Sequence, residues 1–308
     1  MSRCTIYFAT NRNPLPDPET VSSFGTAFAN PLSDLRFGKV TRSDTAESMV
    51  VFDQKLIHKI PNPNFDDPSK TAEVLGSTQM FREINAELRN GKDLILYIHG
   101  FNNDFRGALN ETFALVEHYA AHPAVFVLFS WPSDGSTEKR AYFDDRHDAE
   151  TSGVALSRGL QKMANFLKEL SPDQHCRQRL HLMAHSMGCF ALRHAVRHIA
   201  TTTTRIRRTF DEIFLFAADE DADALGDTHK LGILPSFAKR ISVYTNAEDK
   251  ALFLSDTTKG NPDRLGAGGP DNARALHNKF SIIGCDRVSG LLNDPYGHHY
   301  LRSSDTVR

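Results

Sequence analysis

The stretch from Leu180 to Gly188 reads L-H-L-M-A-H-S-M-G and decides the fold. A short apolar run that ends in small-x-Ser-x-Gly is typical of a buried strand turning sharply into a helix, with the serine at the tip of the turn. The pattern therefore predicts Ser186 as a nucleophile, although Ala184 stands where glycine is usual. Taken alone, the stretch is equally compatible with Ser186 as a helix N-cap, since serine is among the best capping residues.

On both sides of this turn, apolar runs of strand length alternate with helical patterns of ten or more residues. The predicted strands are Thr5–Ala9, Met49–Phe52, Asp93–His99, Ala124–Trp131, Leu180–Ala184, Ile213–Ala217, Ile241–Tyr244 and Phe280–Ile283. The predicted helices are Thr71–Leu88, a segment through Leu109 and Tyr119, Ala149–Leu170 and Gly188–Ala200. Such alternation produces βαβ units, whose right-handed crossovers place helices on both faces of a mostly parallel, doubly wound α/β sheet.

We expect one domain over residues 1–308, because no linker divides the chain. Within residues 1–70 the two early strands are separated by a polar stretch that contains proline and glycine, which predicts an irregular excursion. Residues 256–278 are dense in Gly, Pro, Asp and Asn. They predict a long loop that could act as a lid, because long loops in compact domains are often functional or mobile.

The composition is ordinary for a soluble globular protein. The apolar fraction is 40%, the charged fraction is 24% and the net charge is −2, which gives no electrostatic reason to bind nucleic acid. The four cysteines (Cys4, Cys176, Cys189 and Cys285) are scattered, which favours free thiols. The N-terminus has no signal-peptide pattern and no apolar run reaches about 18 residues, so we expect a cytoplasmic protein without stable membrane insertion. The oligomeric state is not indicated.

Chemically useful side chains follow four of the predicted strands. His99-Gly100-Phe101 follows one strand, Ser186 the next, Asp249 a third, and His298 comes beyond the last. Catalytic groups in open parallel sheets gather at the carboxyl ends of the strands, so we expect these residues to meet. The order Ser, Asp, His is also that of α/β-hydrolase triads.

These residue types together suit acyl transfer. A serine hydroxyl becomes a good nucleophile when a histidine takes its proton, and a carboxylate fixes the tautomer of that histidine. Ser186, His298 and Asp249 fill these roles. The tetrahedral intermediate needs backbone N–H donors, which we expect from Met187, directly after the nucleophile, and from Phe101 in the loop after His99.

Six motifs in order connect the chain to a known family. They are F-A-T-N-R near the start, Y-I-H-G-F-N-N, F-S-W-P-S, A-H-S-M-G, D-K-A-L and G-H-H-Y. Together they resemble a bacterial branch of the α/β-hydrolase superfamily catalogued as a domain of unknown function, from Phe8 to Tyr300. The resemblance implies serine-dependent ester hydrolysis. It also leaves a choice of base, because His299 stands where the branch usually has serine after G-H.

Other readings of individual residues remain at this point. Asp219, Asp221 and Asp223 compete with Asp249 for the role of triad acid. Their D-x-D-x-D spacing also suggests calcium, but the glycine and glutamate that an EF-hand loop requires are missing. His194 and His198 have the spacing of zinc ligands without the glutamate of H-E-x-x-H. We therefore predict no metal and no cofactor.

Four further residues are predicted to line the substrate pocket: His99, Asn102, Trp131 and His185. In this family type the two histidines more often orient the oxyanion loop or pack beside the nucleophile, and Trp131 could equally be a core aromatic. The leading hypothesis is a carboxylic-ester hydrolase acting on a small-molecule ester through an acyl-enzyme. The alternatives are a thioesterase, a lipase or an acyltransferase, and a hydrolase scaffold that binds a ligand or a protein without turnover.

Overall fold

The computed structural model describes residues 3–16, 21–32, 34–52, 57–61, 71–136, 139–170, 178–203, 206–253, 263–286 and 294–307. The strands are β1 (Cys4–Thr10), β2 (Arg12–Leu15), β3 (Ser23–Phe28), β4 (Arg36–Arg42), β5 (Glu47–Phe52), β6 (Ile57–Pro61), β7 (Thr71–Leu75), β8 (Asp93–Ile98), β9 (Ala124–Ser130), β10 (Leu180–His185), β11 (Phe210–Phe216), β12 (Ala238–Thr245) and β13 (Phe280–Gly284). The longer helices are α1 (Gly76–Arg89), α2 (Phe105–His118), α3 (Lys139–Glu169) and α4 (Met187–Thr202). Single turns of helix follow at Leu231–Ser236, Leu265–Gly268, Ala273–Ala275 and Tyr300–Ser303.

Nine strands form one sheet in the order β13-β12-β11-β10-β8-β9-β1-β4-β5. All neighbours from β13 to β1 are parallel, and β4 runs antiparallel to both β1 and β5. Two antiparallel hairpins, β2–β3 and β6–β7, lie outside this sheet. The predicted α/β fold with a mostly parallel sheet is confirmed.

Helices cover both faces of the sheet because the central strands are apolar on both sides. In β8, Leu94, Leu96 and Ile98 belong to the core that holds the apolar faces of α1, α3 and α4. The alternate residues Ile95 and Tyr97 belong to a second core with α2. Continuous apolar runs are what a strand covered on both faces requires.

The prediction of an irregular excursion in the N-terminal region is wrong for its described residues. The hairpin β2–β3 and the strand β4 lie there, and β4 pairs with β1 along its whole length. β4 has the sequence R-F-G-K-V-T-R, whose charges and glycine hide its strand character. Gly38 is needed there because an added Cβ would lie 2.3 Å from the Phe8 ring.

Two helix boundaries also differ from the predictions. Thr71–Leu75 pairs with β6 as a strand, so the helix begins only at Gly76. The helix predicted from Ala149 begins at Lys139. Its first turns carry many charges, yet they bury Tyr142 and Asp145 at a helical spacing that continues to Ala149.

The predicted loop 256–278 is only partly described, because residues 254–262 lie outside the described ranges. Its described part packs into the strand ends. Gly266 N–H donates to the Ala218 carbonyl at 3.0 Å and the Gly266 carbonyl accepts from Asn246 N–H at 2.8 Å. The possible role of residues 256–278 as a lid stays a prediction. The expectation of a single domain stays a prediction.

Cys4, Cys189 and Cys285 are unpaired, and Cys176 lies outside the described residues. Of the described helices, none combines the length and the apolar character that crossing a bilayer demands.

Candidate active site

Ser186 occupies a sharp turn between β10 and α4. Its φ of 52° and ψ of −124° lie in a region that residues other than glycine rarely adopt, at a cost of roughly 1–3 kcal/mol. The surrounding structure holds this conformation, because Ser186 N–H donates to the Phe216 carbonyl at 2.9 Å and the Ser186 carbonyl accepts from Asp219 N–H at 3.2 Å. The Ser186 side chain makes no capping hydrogen bond to α4. A role as helix N-cap therefore does not explain the Ser186 hydroxyl.

Small residues around the turn allow three backbone segments to meet. An added Cβ on Gly188 would lie 2.5 Å from the Ile98 carbonyl oxygen and 2.6 Å from that of His99. An added Cβ on Gly100 would lie 2.9 Å from the Ser186 Cβ. The loop after β8 is therefore in direct contact with the serine, as the strand-end argument predicted.

Asp249 and His298 form a buried acid–base pair. His298 Nδ1 lies 2.6 Å from Asp249 Oδ2, and Asp249 Oδ1 accepts from the N–H groups of Ala251 and Leu252, each at 3.0 Å. A carboxylate accepts, so Nδ1 of His298 carries the proton and Nε2 the lone pair. Burial alone lowers the pKa of His298. The charge and hydrogen bond of Asp249, with smaller contributions from Asp219 and Asp294, outweigh burial and raise that pKa.

The loop that carries His298 is held by two side chains that the sequence analysis missed. Asp294 accepts from the backbone N–H of His298 at 3.1 Å and of His299 at 2.7 Å. Asn246 Nδ2 donates to the Gly297 carbonyl at 2.7 Å, and Gly297 has a φ of 66°. The N-D-P-Y-G composition at 293–297 is a turn signal that could have pointed to this anchoring.

The competing residues have other partners. His299 lies with Nδ1 3.6 Å from Glu111 Oε1, and it is His298 that contacts Asp249. Asp219 accepts from Tyr142 Oη at 2.8 Å and pairs with Arg264 Nε at 3.1 Å.

The rest of the acidic turn is neutralised by side-chain cations. Lys230 pairs with both Asp221 and Asp223, and Arg264 also pairs with Asp221. Two cationic groups therefore stand where the D-x-D-x-D motif would have held calcium.

A family model described as "Alpha/beta hydrolase of unknown function (DUF900)" matches residues 77–308, about three quarters of the chain. The chain belongs to this α/β-hydrolase family. A search of curated proteins finds no significant match.

The loop after β8, which holds the predicted oxyanion donor Phe101, is tethered by hydrogen bonds. Asn103 N–H donates to Ser133 Oγ at 3.0 Å. Ser133 Oγ in turn donates to Asp145. The predicted donor Phe101 lies between these tethers and Gly100. The other predicted donor, Met187, is the first residue of α4, where backbone N–H groups have no acceptor within the helix.

A buried arginine anchors the same loop. Arg12 is 0% exposed, and Nη2 donates to the Asn103 carbonyl at 2.7 Å. Its other nitrogens donate to Ser130 Oγ at 2.8 Å and to the Ser133 carbonyl at 3.1 Å. Burial lowers the pKa of Arg12 to about 10, so the guanidinium stays charged at neutral pH. Arg12 is the last residue of the motif F-A-T-N-R, and that pattern alone indicated no role for it.

The structure places two of the predicted pocket residues beneath the site. His99 and Trp131 are both 0% exposed, and their rings stack with centroids 5.0 Å apart. Trp131 Nε1 donates to the His99 carbonyl at 2.9 Å, and Trp131 N–H donates to His99 Nε2 at 3.2 Å. Burial lowers the pKa of His99 to about 3, so the ring is neutral. These residues pack beneath the loop after β8, and their complete burial differs from the expectation that they line the pocket.

The other two predicted pocket residues lie closer to the reacting groups. Asn102 is exposed and has a φ of 62°. His185 is buried, its ring lies 4.8 Å from that of His298, and its Nε2 is 3.0 Å from the His298 carbonyl oxygen. His185 therefore packs between the nucleophile turn and the loop of the base.

Proposed function

We propose that this protein is a serine hydrolase that cleaves carboxylic esters through an acyl-enzyme on Ser186. The observation that carries the proposal is the buried His298–Asp249 pair at 2.6 Å, on the loop that packs through His185 against the strained turn of Ser186. A strained, uncapped serine beside an oriented histidine is the arrangement that nucleophilic catalysis requires. Strain of this kind persists at functional sites because the surroundings over-determine it.

In the proposed reaction Nε2 of His298 takes the proton of Ser186 Oγ as the oxygen attacks the ester carbonyl. Asp249 holds the ring with its lone pair on Nε2 and stabilises the imidazolium that forms. The raised pKa of His298 reflects the same stabilisation of the protonated ring by Asp249. The imidazolium then protonates the leaving alkoxide, which departs as the alcohol. Water deprotonated by His298 hydrolyses the acyl-enzyme and regenerates Ser186.

The negative charge that develops on the carbonyl oxygen is proposed to be stabilised by hydrogen bonds from the N–H groups of Met187 and Phe101. Removal of one such donor typically costs on the order of a hundred- to a thousand-fold in kcat. Arg12, Ser133 and Asp145 hold the loop in position, so these donors are fixed before the substrate arrives.

Replacement of the nucleophile tests the proposal. Wild-type protein should react with a fluorophosphonate probe and hydrolyse short p-nitrophenyl esters, and Ser186→Ala should lose labelling and most turnover. Loss of a triad nucleophile can lower kcat by on the order of a million-fold. The matched control is Ser157→Ala, a buried serine whose hydroxyl donates to the Val154 carbonyl within α3. It should keep labelling and activity.

Two results would contradict the proposal. One is turnover near the wild-type level in Ser186→Ala. The other is a folded wild-type protein that neither reacts with the probe nor hydrolyses any ester in the series, which would favour the non-catalytic binding module. A chain-length series of esters and thioesters, with and without an added alcohol acceptor, separates esterase from thioesterase and acyltransferase activity.

A further inference from the structure

A second cluster of chemically active side chains lies directly behind the proposed triad. Glu111 on α2, His185 at the end of β10 and His299 beside the base each offer one ligand atom, and these atoms lie within 4.8 Å of one another. Glu111 Oε1 is 3.9 Å from His185 Nδ1 and 3.6 Å from His299 Nδ1. None of the three has a part in the proposed reaction.

The three atoms are buried, and the distances of 3.9 and 3.6 Å from Glu111 Oε1 to the two imidazoles are longer than a hydrogen bond. Within the part of the chain that the structure describes, Glu111 Oε1, His185 Nδ1 and His299 Nδ1 have no hydrogen bond. Glu111 is 7% exposed and His185 is 1% exposed. Buried polar atoms are almost always satisfied, so a convergent set of unsatisfied ones calls for an explanation.

The tautomer of His185 makes the arrangement more specific. Its Nε2 lies 3.0 Å from the His298 carbonyl oxygen, which can only accept, so Nε2 carries the proton. In the neutral imidazole, Nδ1 then presents a lone pair toward the carboxylate of Glu111. Two acceptors that face each other in a buried site are stabilised when a cation lies between them.

The Glu111 carboxylate is also held in orientation by a neighbouring side chain. Its second oxygen accepts from Asn103 Nδ2 at 3.4 Å. Hydrogen bonds of this kind fix the orientation of metal-binding carboxylates, and a carbonyl partner does the same for a metal-binding histidine.

We propose that Glu111 Oε1, His185 Nδ1 and His299 Nδ1 form a binding site for a divalent transition metal of the Zn²⁺ class. Two imidazoles and one carboxylate are a known donor set for Zn²⁺, with bonds of about 2.0–2.2 Å. Two ligands on one such ion can be at most about 4.3 Å apart. Both distances to Glu111 already meet this limit, and His299, with a side chain 33% exposed, can rotate to close the third.

Arg302 competes for the same position. Its Nε lies 3.7 Å from Glu111 Oε1, and its side chain is 30% exposed, so it can swing outward when the ion binds. A bound metal ion would thus take the place of the Arg302 guanidinium as the positive charge beside Glu111. Removal of the arginine side chain should therefore strengthen metal binding.

Metal binding would also act on the triad, an effect that rests on the proposed function. His185 directly precedes Ser186 and His299 directly follows His298. An ion that draws His299 toward Glu111 displaces the loop of the base relative to Asp249. We expect Zn²⁺ to inhibit ester hydrolysis.

The test measures binding on the full-length chain after treatment with a chelator. Isothermal titration with Zn²⁺, and Co²⁺ absorption bands in the visible region, should show one ion per chain that Mg²⁺ and Ca²⁺ do not displace. Glu111→Gln and His299→Gln should each weaken binding by at least about ten-fold, since even loss of an outer partner of a ligand costs 10- to 100-fold. Arg302→Gln should bind more tightly than the wild type.

The matched control is His194→Gln. His194 Nδ1 lies 3.6 Å from Glu150 Oε1, a histidine–glutamate pair to which the described residues add no third metal-ligating side chain. This change should leave metal binding unaltered. His299→Gln alters a partly exposed side chain and so keeps the test valid if Glu111→Gln fails to fold.

The site is overturned if wild type binds no Zn²⁺, if both ligand variants bind as well as wild type, or if His194→Gln weakens binding to the same extent. Because binding is measured without substrate, it is independent of the catalytic proposal. A protein that binds Zn²⁺ at these residues but hydrolyses no ester would retain the site and lose the proposed activity.

Discussion

At the scale of single residues, the role assigned to Asp249 is the most specific claim about the triad. Asp249→Asn keeps the shape of the side chain but replaces the acceptor that faces His298 Nδ1 by an amide. The ring then loses the support for its productive tautomer, which costs on the order of 10⁴-fold in kcat in a Ser-His-Asp triad. We expect a loss of this order, measured as kcat for p-nitrophenyl acetate hydrolysis.

The control for this change comes from the acidic turn that competed for the same role. Asp223 pairs with Lys230, and its side chain is 55% exposed. Asp223→Asn should keep kcat within about two-fold, because exposed ion pairs contribute little. If Asp223→Asn lost activity while Asp249→Asn kept it, the assignment of the acid would be wrong.

Residues at strand ends could be predicted from the sequence, whereas Glu111 on α2 could not. Ser186, Asp249 and His298 stand at strand ends within recognisable motifs, so topology alone brought them together. Glu111 could not be found in this way, because it lies in the middle of the amphipathic helix α2 and reads there as a surface residue. Two of the side chains that surround it, His299 and Arg302, come almost two hundred positions later in the chain.

At the scale of elements, the turn of Ser186 depends on the close approach of α4 to the end of β8. A methyl group at Gly188 would meet two backbone carbonyl oxygens at 2.5 and 2.6 Å, which cannot rotate away. Gly188→Ala should therefore push α4 off β8. We expect it to lower the free energy of unfolding by on the order of 1–3 kcal/mol, measured by urea denaturation, and to reduce labelling of Ser186.

Gly268→Ala is the matched control. Gly268 ends the single helical turn Leu265–Gly268, and an added Cβ would have nothing within 4 Å. The free energy of unfolding of this variant should remain within about 0.5 kcal/mol of the wild-type value. Its labelling of Ser186 should remain within about two-fold. Equal effects of the two substitutions would show that the crowding at Gly188 is unimportant.

The elements themselves were predictable to the extent that one local pattern determined them. The central strands are uniformly apolar, and β8, β9 and β10 were predicted within one residue of their observed ends. The edge strand β4 and the beginning of α3 were not, because pairing with β1 and burial of single residues such as Asp145 decide them. Long-range contacts of this type override local propensity.

At the scale of the whole molecule, the N-terminal strands are part of the sheet that carries the site. The family match begins at residue 77, yet β1 lies between β9 and β4 inside the sheet, and Ile6 and Phe8 on it are 0% exposed. The chain then passes directly from β1 to Arg12. The N-terminal region is thereby joined to the loop that is proposed to stabilise the oxyanion.

Arg12→Lys tests this long-range connection. The ammonium group keeps the charge but cannot reach Ser130, Ser133 and Asn103 together, as the planar guanidinium does. Several carbonyl and hydroxyl groups then lose a charged donor, each worth about 1.5–3 kcal/mol. We expect the free energy of unfolding to fall by about 3 kcal/mol in urea denaturation. The rate of fluorophosphonate labelling should fall at least ten-fold even at low urea, where the variant remains folded, because the Asn103 end of the loop is released.

The control is Arg106→Lys, because the Arg106 side chain is 59% exposed and pairs with Glu47. This substitution should change neither the free energy of unfolding nor the labelling rate appreciably. A loss of stability in Arg12→Lys without a change in labelling would mean that Arg12 supports the fold but does not position the oxyanion loop.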